Sequence, residues 1–360
     1  MRKNVDEIKI VLKKHEYSIN TIICDVMKKF KFKTTCCKSG ISKGSGYSVS
    51  EVITLMLLFP LMLLPSVHAL YRSSFQEVTE MKKDVIYRLK NNEKMPWRRL
   101  LYGIAKRFQQ LVNSEKEIAS NSAFIVDDTA DFRSGQAIEN ISIIHDHSTG
   151  KKGSFKYGFK NLMLGYFDGK SISPLDFSIH TEKQLSRKKI KAQYKKECIK
   201  NSNGWKRRKE CNLSKITNSL NMIKRAVKNG FKAKYVLADS WFTSLGFIKS
   251  IREIKDGEMH VIAGIKNDNR KYVYQDESLN CKEIIKKLKA NGKEKRCRKW
   301  NLRYFEVEVH YEEIGIVKLY ICRFPYQKKW RVFISTDITL SLITMMEIYS
   351  TRWQVMLISA

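Results

Sequence analysis

No two of the eight cysteines are spaced as Cys-x-x-Cys; they are scattered at positions 24, 36, 37, 198, 211, 281, 297 and 322. That scatter argues against a zinc ribbon and against a disulfide framework, and free thiols in a reducing cytoplasm are the expectation. The opening stretch MRKNVDEIKI lacks the apolar core of a secretory signal. Internal repeats and low-complexity linkers are missing as well. Acids are few, 36 Asp and Glu against 68 Lys and Arg, which leaves a net charge of +32. Solubility does not require so large an excess, and it implies a polyanionic partner: nucleic acid first, an anionic membrane surface second.

What is present fits a folded chain. With 360 residues, 43% hydrophobic and 11% aromatic, there is material for two or three domains with ordinary cores. Positive charge is concentrated, since residues 181–234 carry 18 Lys or Arg against three Glu, a run that reads as phosphate neutralisation. The stretch VITLMLLFPLMLLPSVHALY, residues 52–71, approaches the length of a spanning helix. Pro60 and Pro65 interrupt it, so a buried helical hairpin fits better, and no membrane partner is expected.

Residues 1–115 read as helical and as a DNA-binding domain. Leu100, Ile104, Phe108 and Leu111 share one helical face, with Lys106 and Arg107 off it. The pattern then changes. AFIVDDT, residues 123–129, is a short apolar run ending in two acids, as a buried strand with its tip at a site would be. KNLMLGYFDGKSISPLDFSI follows as two strand-like runs around Asp168 and Gly169, a hairpin signal. In LSKITNSLNMIKRAVKNG the residues Ile216, Leu220, Ile223 and Val227 form one helical face. KYVLADS is the next strand, again ending in an acid, Asp239; a helix over about 244–254 and the strand MHVIAGI complete a core over 116–266. Residues 267–336 read as a separate strand-rich unit, and from about 340 a helical pattern returns.

Carboxylates at the tips of adjacent strands can share hard divalent cations, which prefer oxygen ligands. On a chain this basic, such a pair points to phosphoryl transfer on DNA. Strand alternation puts Phe124, Val126 and Asp128 on one face and Asp127 on the other, so one of the two acids should reach the metals. His145 and His147 would share a strand face, but the sequence offers no third ligand nearby. Trp241 and Phe242, just after Asp239, could stack on an exposed base or pack beside the site. WKRRK, residues 205–209, suits a grip on phosphates.

FIVDDT, HDHSTGKKGSFKYGFKNLMLGYFDGKSISPLDFSI, GWKRRKE, YVLADSWF and YSTRW occur here in the order and spacing of DDE transposases. Over roughly residues 50–355 the chain resembles the insertion sequence 4 family, the group marked by a Tyr-Arg-Glu-Lys signature. The resemblance implies an α/β fold: a ribonuclease H-like catalytic core with a β-rich insertion and an N-terminal helical domain. It also implies an enzyme that binds the terminal inverted repeats of its element and, with Mg2+ or Mn2+, cleaves DNA and transfers strands to target DNA. A homodimer in the DNA complex and a cytoplasmic, nucleoid-associated location follow from the same likeness. Carried over by motif, Asp128, immediately before Thr129, is the first catalytic and metal-binding acid, with Asp127 as the alternative; Asp239 is the second. Tyr349 and Arg352 match the signature helix, and with Lys206, Arg207, Arg208 and Trp241 they make the expected DNA contacts.

Three residues after Arg352 the signature reaches its third acid, and that position here is Met356. A thioether is a poor ligand for a hard cation. Glu347 cannot stand in, because nine positions at about 100° each place it on the opposite face of the helix. Residues 337–360 are thus read as the start of a truncated last catalytic helix. The expectation is a transposase impaired by loss of its third acid; the alternative is a catalytically dead DNA-binding protein that inhibits an intact relative.

Overall fold

The computed structural model describes residues 16–73, 77, 79–113, 119–146, 154–182, 194, 197–254, 257–266 and 268–354. The chain divides into two compact units, one drawn from Met1–Ser114 and Glu197–Arg208, the other from Glu115–Lys196 and Lys209–Ala360.

The first unit is helical among its described residues: α1 (Glu16–Lys29), α2 (Phe32–Lys38), α3 (Val49–Leu58), α4 (Val67–Arg72), α5 (Lys83–Lys90) and α6 (Trp97–Val112). A capping box starts α3, with Ser48 Oγ accepting from the Glu51 amide while the Glu51 carboxylate accepts from the Ser48 amide. Pro60 and Pro65 fall between α3 and α4, and no helix among the described residues is long and apolar enough to cross a membrane. Apolar side chains from α2 through α6, among them Phe32, Val52, Leu70, Ile86 and Leu100, form its core. On α6 the buried residues are Leu100, Tyr102 and Ala105, and Leu111 is exposed. The expected stripe is turned because Gly103 lies against α2: a Cβ there would stand 2.9 Å from Thr35 Cγ2. Within the same unit, the Gly204 amide donates to the Glu93 carbonyl and Asn203 Nδ2 to the Lys94 carbonyl. These bonds hold the start of α7 (Asn203–Glu210), which carries Lys206, Arg207 and Arg208 and buries none of its residues.

The second unit is built on one sheet. β1 (Ala123–Phe132), β2 (Ser142–His145), β3 (Phe155–Phe167) and β4 (Ile172–His180) form its antiparallel side. The β3–β4 turn is the anticipated hairpin, with Gly169 at φ +102 and Asp168 Oδ1 accepting from the Lys170 and Ser171 amides. After α8 (Lys215–Lys228), β5 (Tyr235–Ala238) runs parallel to β1; after α9 (Leu245–Glu253), β6 (His260–Ile265) runs parallel to β5. The buried face of α8 is Lys215, Asn218, Ser219, Met222, Ile223 and Ala226. Ile216, Leu220 and Val227 are only half-buried, because Lys215 turns inward to meet Asp128 on β1 and Glu182 just past β4.

The strand-rich segment does not make a sheet of its own. It holds β7 (Lys271–Tyr274), β8 (Glu277–Asn280), α10 (Cys281–Ala290), β9 (Lys295–Cys297), β10 (Leu302–Tyr311), β11 (Gly315–Arg323) and β12 (Arg331–Ser335). β12 pairs antiparallel with β6, from Val332↔Ile265 to Ser335↔Ile262, so the sheet continues as β2-β3-β1-β5-β6-β12-β11-β10-β7-β8. The helix α10 interrupts this segment behind a capping box of Asn280 and Glu283. Last comes α11 (Leu342–Ser350), capped by Ser341, whose Leu342, Met345, Ile348 and Tyr349 pack on Ala123, Ile125, Tyr235, Leu237 and Phe333.

Candidate active site

The site begins with strand register. β1 and β5 pair in parallel as Ala123↔Tyr235, Phe124↔Val236 and Ile125↔Leu237. Continuing that alternation aligns Asp127 with Asp239, on the face that Ala123, Ile125, Tyr235 and Leu237 turn toward α11. The pairing stops at Ile125, while β1 keeps its partner β3 as far as Phe132. A fork therefore opens past the carboxyl ends of the two parallel strands, and both acids stand in it.

Local bonds fix each acid. Asp239 Oδ1 accepts from the Trp241 amide at 2.8 Å, and its carbonyl accepts from the Phe242 amide and the Thr243 hydroxyl. Thr243 also donates to the Gly264 carbonyl of β6 at 2.8 Å, anchoring the turn that leads to α9. Asp127 is buried at 6% exposure. Its Oδ1 accepts from the Asp128 amide at 3.0 Å, and its Oδ2 takes a 3.1 Å ion pair from Arg352 Nη1. Burial pushes its carboxyl up to about 6, against the pull of Arg352 and the Asp128 amide, and the negative charges of Asp239 and Asp128 add to the rise.

Arg352 reaches this place from the helical residues 352–354 that follow α11 past Thr351. Tyr349 fastens the end of that helix: its ring meets Phe333 edge-on with centroids 5.0 Å apart, and its hydroxyl donates to the Ala238 carbonyl at 3.4 Å. The hydroxyl passes beside Gly264, where a Cβ would lie 3.5 Å away, an ordinary contact. The Arg352 guanidinium lies 5.4 Å from the Tyr349 ring centroid and 4.4 Å from that of Trp353. Glu347, ion-paired with Lys299, is on the exposed side of α11, as its helical angle requires.

Asp128 faces away from this group. Its Oδ2 is 3.1 Å from Lys215 Nζ and 3.7 Å from Lys160 Nζ, and Lys215 also pairs with Glu182 Oε1 at 3.1 Å. The Lys215 ammonium stands 4.4 Å from the Trp241 ring centroid, and His180 beside it is held below its ordinary value by burial and then by Lys215. This is a charge-balanced cluster built around two buried lysines. Of the acids named from sequence, the structure thus brings Asp127 and Asp239 together beneath α11 and puts Asp128 among lysines. Lys160, Lys215 and Glu182 were not anticipated. A lysine on the inward face of an otherwise amphipathic helix was the available signal.

The remaining site residues are dispersed. Tyr349 is buried in the core and Arg352 is engaged by Asp127, so neither lies open to a ligand in this structure, whereas Trp241 is 45% exposed. Lys206, Arg207 and Arg208 belong to the helical unit. His145 packs edge-on against Phe155. His147 and Met356 lie outside the described residues. Among the described residues no cluster of three His, Cys, Asp or Glu is placed to hold a metal. Two carboxylates on one face do suit a hard cation of the magnesium type, which draws its other ligands from water and phosphate oxygens. In this structure a guanidinium supplies the positive charge beside Asp127.

No curated protein matches the chain. A family model described as DDE superfamily endonuclease matches residues 67–281, which take in Asp127, Asp128 and Asp239. That stretch is 215 of the 360 residues (281 − 67 + 1), and the chain belongs to the DDE superfamily of endonucleases.

Proposed function

We propose that the chain is the transposase of an insertion sequence, one that binds the terminal inverted repeats of its element and cuts DNA at their ends. The observation that carries this reading is the alignment of Asp127 with Asp239 in a crevice roofed by α11. The order β4-β3-β1-β5-β6, an antiparallel meander followed by two parallel strands, supports a ribonuclease H-like core. The helical unit with Lys206, Arg207 and Arg208 is the proposed grip on DNA, acting on phosphates rather than bases. Action as a homodimer on paired ends, and a place on the nucleoid in the cytoplasm, belong to the same proposal.

Asp127 and Asp239 are the proposed ligands of Mg2+ or Mn2+, with Asp128 in a supporting role. When bound, such an ion would activate the attacking oxygen and stabilise the leaving one. The protein's own part is to hold both carboxylates rigidly, by strand register on one side and the Asp239–Trp241 turn on the other. Asp128, tied to Lys215 and Lys160, braces β1 from behind. This departs from the motif-based choice of Asp128 and rests on which strand face meets α11.

Nicking of a labelled element-end duplex in Mg2+ tests the reading. Asp127→Asn and Asp239→Asn should each lower the rate by at least about a hundredfold, on the scale of lost catalytic groups. Asp128→Asn should retain activity in proportion to folded protein. If Asp128→Asn alone removed cleavage from a fully folded chain, the assignment would reverse. Met356, standing where the Tyr-Arg-Glu-Lys pattern has its acid, favours a second reading: a DNA-binding protein without catalysis that occupies element ends and inhibits an intact relative. Tight, salt-sensitive binding to the duplex with no metal-dependent nicking would establish that reading instead.

A further inference from the structure

We propose that Arg352 is a built-in counterion of the acid pair, which a divalent cation must displace before the site can act. The inference rests on the reading of Asp127 and Asp239 as metal ligands.

The Arg352 and Asp127 side chains are 6% and 8% exposed, and their ion pair is 3.1 Å long. Both Asp127 oxygens are engaged, Oδ1 by the Asp128 amide and Oδ2 by the guanidinium. A buried carboxylate without a partner is strongly disfavoured, and Asp239 adds a second negative charge nearby. The apo site therefore needs a cation, and among the described residues Arg352 reaches Asp127. A metal ion at Asp127 Oδ2 would stand beside the guanidinium now 3.1 Å from that oxygen, and two cations so close repel each other strongly where water is excluded. Exchange is the outcome.

The geometry shows where the guanidinium can go. Its Nε is buried with no acceptor among the described residues, so the present seat leaves one donor unused. Its plane lies nearer Trp353 than Tyr349, and Trp353 is 51% exposed while Tyr349 is buried. A rotation of the side chain along the Trp353 ring carries the charge to the rim of the crevice. There it can make paired bonds to the oxygens of a DNA phosphate, the geometry for which a guanidinium is suited. One residue thus has two anionic partners: Asp127 before the metal arrives and phosphate afterwards.

Calorimetric titration of the full chain with Mn2+, in the absence of DNA, reads this competition. Arg352→Gln should bind Mn2+ about tenfold more tightly than the unaltered protein, a usual size for coupling between two ligands of one site, and Asp127→Asn should lose that binding. A measurement on the unaltered chain runs in parallel: modification of Arg352 by phenylglyoxal, followed by mass spectrometry. The residue should be protected in the metal-free protein and become reactive on adding Mn2+; in Asp127→Asn it should be reactive throughout. An unchanged or weakened Mn2+ affinity in folded Arg352→Gln, or labelling that ignores Mn2+, overturns the displacement. If Asp127→Asn binds Mn2+ as tightly as the unaltered chain, the metal-site reading itself fails. Should Arg352→Gln not fold, the labelling pair decides alone.

Discussion

Lys215 shows what one inward-facing charge does for this chain. Its side chain is 5% exposed and answers two carboxylates, Asp128 and Glu182. Lys215→Met would keep much of its packing but leave Asp128 with Lys160 alone and Glu182, 35% exposed, with water, and losing a charged partner at such a site costs about 1–3 kcal/mol. Urea unfolding should register that loss, and Asp128→Asn in the same background should restore part of it. Asp337 acts at the same scale through pH. Burial alone would raise its carboxyl, but bonds from Thr339 and Tyr235 outweigh this and hold it at about 2. Since the folded value is below the ordinary one of 3.8, its contribution is complete above pH 4 and fades as pH falls toward 2. Following linkage, roughly 2 kcal/mol is at stake. Acid titration of stability should show a shallower fall in Asp337→Asn than in the unaltered chain over that window.

Among elements, α6 comes close to α2 at Gly103, where a Cβ would stand 2.9 Å from Thr35 Cγ2. A larger side chain there meets Thr35 and Ser39 at once. Gly103→Leu should lower the stability of this unit by about 1–3 kcal/mol through overpacking, whereas Gly44→Ala, at a site with open space around it, should leave thermal unfolding unchanged. The strands and helices of the second unit were legible to different depths. β1, β5 and the β3–β4 hairpin could be read from short apolar runs and turn residues, because those signals are local. Alternation separated Asp127 from Asp128, yet it could not say which face α11 would cover, since that depends on a helix more than two hundred residues downstream. The motif pointed to Asp128 and the packing of Tyr349 and Arg352 points to Asp127. The inward face of α8 was misread for a related reason: a lysine counts as solvent-facing until its partners on another strand are known. Pairing of β12 with β6 was likewise invisible, because nothing within either strand names its neighbour.

For the whole molecule, the net charge of +32 sets the expected behaviour toward DNA. If six or more phosphates are neutralised, affinity should drop by about a thousandfold or more between 50 and 200 mM salt. A plot of log affinity against log salt concentration checks this directly, and a flat line would exclude phosphate contacts as the source of binding.

The order of strands in the sheet has a consequence for synthesis. The acids lie on β1 and just after β5, but the strand that closes the other side of β6 is β12, and the helix that covers the crevice follows it. A chain leaving the ribosome carries Asp127 long before Tyr349 and Arg352 exist to enclose it, and pairings between such distant segments form slowly. Nascent chains should therefore carry the two carboxylates open to water, with no roof to hold the crevice in shape. Assembly of the proposed metal-binding pair then becomes one of the last events in the making of the protein.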